Sequence, residues 1–368
     1  MLKKVMSYIL ICFLVIVAGM SVQASSIDNI KIDYSDKVAY TYPIVPGTDE
    51  WNSFLTRGEM LKACQIPEEK LKNMSTEALL ETVLMYPLIS DYFYFNSLSE
   101  AYHNMNASFN GLRELVSRKD VMSTIIEEYS RTCVVTASEL SKSSPKDFWK
   151  STTLEFLIVC GELSGVSLTN DEKELFQKLM EEKQEQRERA GIYSLQSDIY
   201  NNQVNGMARA AGSVWTAVAA GTVRTPSGAN VSEVYQRSPN FTTAERAQLN
   251  SDTDSKYPRA RRGATATVKY NCHSYAWYSQ TTSNPYWIGR YSAPTEYVER
   301  NNGYILYTGT PYSGVKAWYN NGEHSGVYTG GTIDGAYAIR SKWGMAGLYE
   351  HAEAYSPYEY SIKMYVRD

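Results

Sequence analysis

From residue 48 to about residue 190, apolar positions recur every three to four residues and helix caps punctuate them. Thr48 is placed as the N-cap of a helix carrying Trp51, Phe54, Leu55, Met60 and Leu61. Pro67 suits the first turn of a short helix over 68–74. Ser75 caps another, with Leu79, Leu80, Val83 and Leu84 on one side and Pro87 beyond its end. The same spacing predicts helices over 98–105, 111–117, 120–132 and 145–162. Thr169-Asn170-Asp171-Glu172 is a capping box for a long charged helix to about Arg189, with Leu175, Phe176 and Leu179 inward and the charge run solvated.

Near residue 192 the texture changes. Val223–Val231 reads as strand, Pro-Ser-Gly turn, strand. Thr242-Thr243-Ala244-Glu245 is a second capping box, opening a short helix over 245–249, and residues 250–263 read as polar loop. Pro294-Thr295-Glu296-Tyr297-Val298 starts a further short helix. From Gly303 the apolar period falls to two. Segments 304–307, 315–319, 325–328, 336–340 and 362–366 read as strands, divided by turns such as Asn320-Asn321-Gly322 and Gly330-Gly331. Helices first and antiparallel strands afterwards give an α+β fold.

The amino terminus has a different pattern. Lys3 and Lys4 precede an apolar run, Tyr8–Ala18, and Val22-Gln23-Ala24 fits a cleavage site. The run is short for a membrane span. We read residues 1–24 as a secretory signal cleaved after Ala24, with an uncleaved anchor as the alternative. The expected localisation is extracellular or cell-wall associated, without stable membrane insertion. The remaining plan is an extended lead-in (25–47), a helical domain (48–190), a connecting segment with a hairpin (191–263) and a carboxy-terminal α+β domain (264–368).

Charge and cysteine usage narrow the chemistry. A net charge of −4 and a pI near 5.8 speak against nucleic-acid binding. The basic cluster Arg259, Arg261 and Arg262 reads as solvated surface. Beyond the signal lie Cys64, Cys133, Cys160 and Cys272, too few for a disulfide scaffold and without a CxxC pair for zinc. The disulfide state of the first three is open. Cys272 stands alone in the carboxy-terminal half, in Tyr270-Asn271-Cys272-His273-Ser274-Tyr275-Ala276-Trp277-Tyr278. This stretch reads as a helix start, where orphan N–H groups favour a thiolate. A small buried hydrophobe among aromatics has the same sequence appearance.

A cysteine nucleophile needs a base and a group that fixes the base. His324 opens the strand His324-Ser325-Gly326-Val327-Tyr328, and Ser341-Lys342-Trp343-Gly344 ends the next. Antiparallel pairing puts His324 and Ser341 at the same end of the hairpin. His273 lies about 100° round the helix from Cys272 and reads as a rim residue. His351 reads as rim or exposed, and His103 as structural or exposed. The three histidines 273, 324 and 351 lack the spacing of a metal-ligand pair, so we expect no metal and no cofactor.

Cysteine at a helix start, histidine at a strand start 52 residues later and a polar residue on the next strand resemble the NlpC/P60 and CHAP-like group of papain-fold cysteine peptidases and amidases. His-Ser-Gly-Val-Tyr-Thr-Gly-Gly resembles that group's histidine strand. Ser341-Lys342-Trp343-Gly344 resembles the Asn-Ser-Trp-Gly signature of papain. The resemblance covers about residues 260–350. It implies a papain-like domain with Cys272 as nucleophile, His324 as base and Ser341 as orienter. Ala266 stands where an oxyanion glutamine would be, so Asn271, Tyr270 and the Cys272 N–H are the candidate donors, with His273 and Trp343 at the substrate rim. Lys342, Asp334 and Glu350 are fallback third members.

The resemblance implies a secreted cysteine hydrolase cleaving an amide bond in a peptide or peptidoglycan-like substrate, with a helical half that targets, inhibits or binds a protein partner. Two alternatives are an inactive papain-like binding protein and a transglutaminase-like acyltransferase with Asp334 as orienter.

Overall fold

The computed structural model describes residues 36–136, 139, 143–190, 192, 214–289, 292–298, 302–319 and 322–368. The signal segment and the Asn320-Asn321 turn positions lie outside them. Ser35–Asp368 forms one compact unit. Helices and antiparallel sheets make it α+β, and no helix among the described residues is long and apolar enough to cross a membrane.

The first half is helical: α1 (Asp49–Ser53), α2 (Arg57–Ala63), α3 (Glu68–Asn73), α4 (Thr76–Leu84), α5 (Leu98–Ser108), α6 (Asn110–Leu115), α7 (Val121–Arg131), α8 (Pro145–Leu163) and α9 (Asn170–Ala190). Thr48 and Ser75 cap as expected. The segment expected as one helix after Thr48 is two, because Thr56 and Glu59 form a capping box that starts α2 anew. On α9 the inward side is shifted: Leu175 is exposed, while Lys183 and Arg187 are buried with Phe176. Arg187 can be buried because Glu155 on α8 pairs with it at 2.9 Å. Between α4 and α5 a 3₁₀ helix, Ile89–Tyr94, is buried throughout.

The second half contains β1 (Val214–Ala217), β2 (Val234–Ser238), α10 (Thr243–Lys256), β3 (Arg261–Ala264), β4 (Trp287–Ile288), α11 (Ser292–Val298), β5 (Tyr304–Tyr307), β6 (Lys316–Tyr319), β7 (His324–Ile333), β8 (Ala336–Lys342), β9 (Leu348–Ala352) and β10 (Ile362–Arg367). One sheet has the order β1-β2-β4 and the other β3-β9-β8-β7-β6-β10-β5. The Pro-Ser-Gly hairpin is a tight loop closed by one bridge, Arg224 to Asn230. The Thr242–Glu245 box forms, but α10 runs seven residues beyond the expected end at residue 249. Its polar residues Asp252 and Lys256 face buried partners in the helical half, so polarity here marks an ion network and not a loop.

The seven-stranded sheet buries both faces. Tyr319, Tyr328, Ile339 and Tyr349 join the large core shared with the helices. Val327, Leu348, Tyr304 and Tyr365, from the alternate positions, pack with Tyr270, Tyr275 and Trp277 of the cysteine segment. The helical half and the Cys272 segment therefore cover opposite faces of one sheet.

Candidate active site

Cys272 begins a short helix whose last five residues, Ser274–Tyr278, are a π-turn closed by the Ser279 N–H on the Ser274 carbonyl at 3.0 Å. Such turns re-aim side chains and are frequent at functional sites. Asn271 starts the helix: its Oδ1 accepts from Ser274 N at 3.1 Å and Ile288 N at 3.3 Å. Its Nδ2 donates to Ile288 O at 2.6 Å and to Asn96 Oδ1 at 2.9 Å. Asn271 thus spends its whole amide on positioning and has no donor left for an oxyanion. Tyr270 is buried, its ring 6.4 Å from that of Tyr275.

The Cys272 thiol is buried. It lies 3.8 Å from Asn96 Oδ1 and 3.9 Å from Asn96 Nδ2. Burial pushes its pKa up to about 12, against the pull of the Ser325 backbone N–H, the Asn96 side chain and its own helix turn through the His273 N–H. The Asn96 amide nitrogen is the donor placed beside the sulfur, in a site otherwise too dry for a thiolate.

Three imidazoles are fully buried nearby. His273 turns inward, away from the rim position the helix geometry suggested. Its Nδ1 meets Ser325 Oγ at 2.9 Å and its Nε2 meets Asn96 Nδ2 at 3.4 Å. Trp277 Nε1 donates to the same Ser325 hydroxyl at 2.9 Å. His351 is likewise interior. Its Nδ1 lies 2.8 Å from Ala352 O, which only a protonated nitrogen can satisfy, so Nε2 accepts from the Ser341 hydroxyl at 2.8 Å. Trp343 Nε1 donates to Ser341 Oγ at 3.0 Å. The buried Trp343 ring stacks on Tyr349 at 4.4 Å, so it is core and not a substrate rim. Ser341 therefore orients His351 and not His324.

His324 differs from both. Its ring stacks on Tyr358 at 3.6 Å and neither ring nitrogen has a hydrogen-bond partner. Burial, then the neighbouring His351 and His273, pushes its pKa well below the ordinary imidazole value. The hairpin register is as expected, with Val327 opposite Arg340 and His324 two positions from the Ser341 level. Strand alternation puts His324 and its neighbour Ser325 on opposite faces of the sheet. Ser325 faces the Cys272 helix, and His324 faces Tyr319 and Tyr358 on the other side. Thiol and imidazole are not hydrogen-bonded to each other.

The fallback orienters are committed elsewhere. Asp334 sits at the far turn of the β7–β8 hairpin with φ +52° and pairs with Arg259. Glu350 pairs with Arg340 at 2.7 Å. Lys342 Nζ binds the carbonyls of Thr267 and Gly344. Arg262 pairs with Asp254, leaving the basic cluster as surface charge. His103 is exposed, and the four cysteines after the signal are free, Cys133 being the exposed one. Among the described residues, no group of three or more His, Cys, Asp or Glu side chains is arranged to hold a metal.

A cleft of about 760 Å³ reaches Asn96, the residue whose amide also contacts the thiol. Asn96, Glu100, Glu233, Glu323, Trp215 and Trp287 are among its walls. Asn96 belongs both to this cleft and to the sulfur's surroundings. No motif marks it in the sequence: it lies 176 residues from Cys272, in the two-residue link Phe95-Asn96 between the 3₁₀ helix and the Ser97 cap of α5. Compared with family models, curated proteins and solved structures, the chain matches none.

Proposed function

We propose that the protein is a secreted cysteine hydrolase of papain-like type, cleaving an amide bond in a peptide such as that of a bacterial cell wall. The observation that carries this reading is the Cys272 thiol at the start of a short helix, 3.9 Å from the Asn96 amide nitrogen, a residue that also lines a cleft. Such a donor stabilises a thiolate and the charge that follows it. Of the three buried imidazoles, His324 is the one whose nitrogens are uncommitted, so it is assigned as proton acceptor.

In this mechanism the thiol proton passes to His324 and the sulfur electron pair attacks the carbonyl carbon. The C=O π pair moves onto oxygen. Collapse of the tetrahedral intermediate breaks the C–N bond, and the amine leaves with the imidazolium proton. Water then gives a proton to the imidazole and attacks the thioester, releasing the acid and restoring the thiol. The thiol is buried and His324 makes no hydrogen bond to it, so in this reading the two come into hydrogen-bond contact before the first step.

The lack of a hydrogen bond between Cys272 and His324 favours a second reading, a binding protein that keeps the domain shape without turnover. Release of new amine ends from purified cell-wall peptide separates the two. The hydrolase reading expects Cys272→Ala to abolish release and His324→Gln to lower it at least ~100-fold. Equal release by wild type and Cys272→Ala, including none from either, overturns it.

A further inference from the structure

We propose that Asn96, supplied by the helical half, is the side-chain oxyanion donor of the Cys272 centre; this rests on the hydrolase reading above. Among the local candidates, Tyr270 packs against Tyr275 and Lys342, its hydroxyl making no hydrogen bond. Ala266 occupies the upstream position, and the Asn271 amide is consumed by Ile288, Ser274 and Asn96 itself.

The hydrogen-bond network fixes which atom of Asn96 is nitrogen. Asn271 is set by backbone partners at both ends: Oδ1 receives Ser274 N and Ile288 N, and Nδ2 donates to Ile288 O. Its remaining N–H therefore meets an acceptor, so the Asn96 atom 2.9 Å away is Oδ1. One Asn96 Nδ2 hydrogen goes to Glu323 O, 3.2 Å away; the second faces the longer contacts, His273 Nε2 at 3.4 Å and the sulfur at 3.9 Å, and is the one an oxyanion would take over. When a carbonyl carbon bonds to the sulfur, its oxygen fits beside this nitrogen at about 3 Å, the range of an oxyanion donor.

The donor is also held in advance. The backbone just before it is clamped onto the sheet side: Phe93 O accepts from Met345 N at 2.9 Å, and Tyr94 O accepts from the Tyr358 hydroxyl at 2.6 Å. An oxyanion donor acts through such preorganisation, because it need not reorient as charge develops. Asn96 lines the cleft as well, so it links the cleft to the buried sulfur.

The reaction step assigned to Asn96 is limited to charge. As the sulfur pair forms the S–C bond, the carbonyl π pair localises on oxygen, and that oxygen accepts a hydrogen bond from Nδ2. The pair returns when the C–N bond breaks, and Asn96 neither gains nor loses a proton.

The test compares amide hydrolysis with alkylation of the same thiol. Iodoacetamide attack builds no oxyanion, and exposed Cys133 is the internal reference, with labelling read by mass spectrometry. Asn96→Ala is expected to lower kcat by ~100- to 1000-fold with little change in KM. Cys272 labelling relative to Cys133 should stay level or rise. Asn96→Gln should restore part of kcat, and equal thermal melting of the variants shows that folding is not the cause. Retention of kcat within threefold in Asn96→Ala overturns the inference and leaves the hydrolase reading standing. A parallel fall in kcat and Cys272 labelling also overturns it, making Asn96 an orienter of the thiol alone. Absence of hydrolysis by the wild type, scored against Cys272→Ala, overturns both.

Discussion

His351 shows how one residue's surroundings set a property of the chain. Burial pushes its pKa down to about 4, against the help of the Ala352 carbonyl and Glu350. A free imidazole titrates near 6.5. Between those values the unfolded chain binds a proton that the folded chain refuses. The stability tied to neutral His351 is complete above pH 6.5 and is lost as pH falls towards 4, by about 3 kcal/mol. His324, also lowered, acts in the same direction. Urea unfolding should therefore show a lower midpoint at pH 4.5 than at pH 7, and His351→Gln should flatten that slope. An unchanged slope in the variant would assign the pH sensitivity to other groups.

At the scale of elements, the short 3₁₀ helix Ile89–Tyr94 does the most to place the site. It presents Asn96 at its end and meets the Ser341-Lys342-Trp343-Gly344 segment backbone to backbone. Gly344 has φ +45°, and a Cβ there would lie 2.4 Å from the Tyr94 carbonyl atoms. The glycine of this signature is thus explained by close approach of two chain segments. Gly344→Ala should cost about 2–4 kcal/mol in denaturant unfolding. It should also lower activity in the fraction that stays folded, because Asn96 shifts with the segment. The β7–β8 hairpin teaches a related lesson. Its pairing follows from turn and pattern, but a period of two gives His324 and Ser325 to opposite faces.

For the whole molecule, a buried ion network ties the helical half to the carboxy-terminal half. Asp91 accepts from Arg57 at 2.7 Å, Lys256 at 2.9 Å and the Tyr257 hydroxyl at 2.7 Å. Burial alone would raise the Asp91 carboxyl, but Lys256 and Arg57 outweigh it and hold it below the usual value. Trp51 Nε1 adds a bond to Lys256 O at 2.8 Å across the same junction. Removing the carboxylate leaves buried Arg57 without its ion-pair partner and Lys256 with Asp252 alone, so Asp91→Ala should cost about 3–5 kcal/mol, read as the loss of unfolding free energy in urea. A single cooperative transition is expected, because the two halves share one core.

The sequence by itself determined the local structure. The capping box formed by Thr242 and Glu245, the Thr48 and Ser75 caps and the period-two strands are near-neighbour effects, written within a few residues of where they act. The same locality put Cys272 at a helix start and His324 at a strand start. Only the tertiary structure decided what those residues meet. Ser341 went to His351 because β8 and β9 are adjacent, with Ile339 opposite His351. His273 went inward because its helix lies on the Ser325 face. Asn96 reached the sulfur from 176 residues away because the two halves fold around one core. Contacts at such separations are set by long-range packing, and no local spacing encodes them.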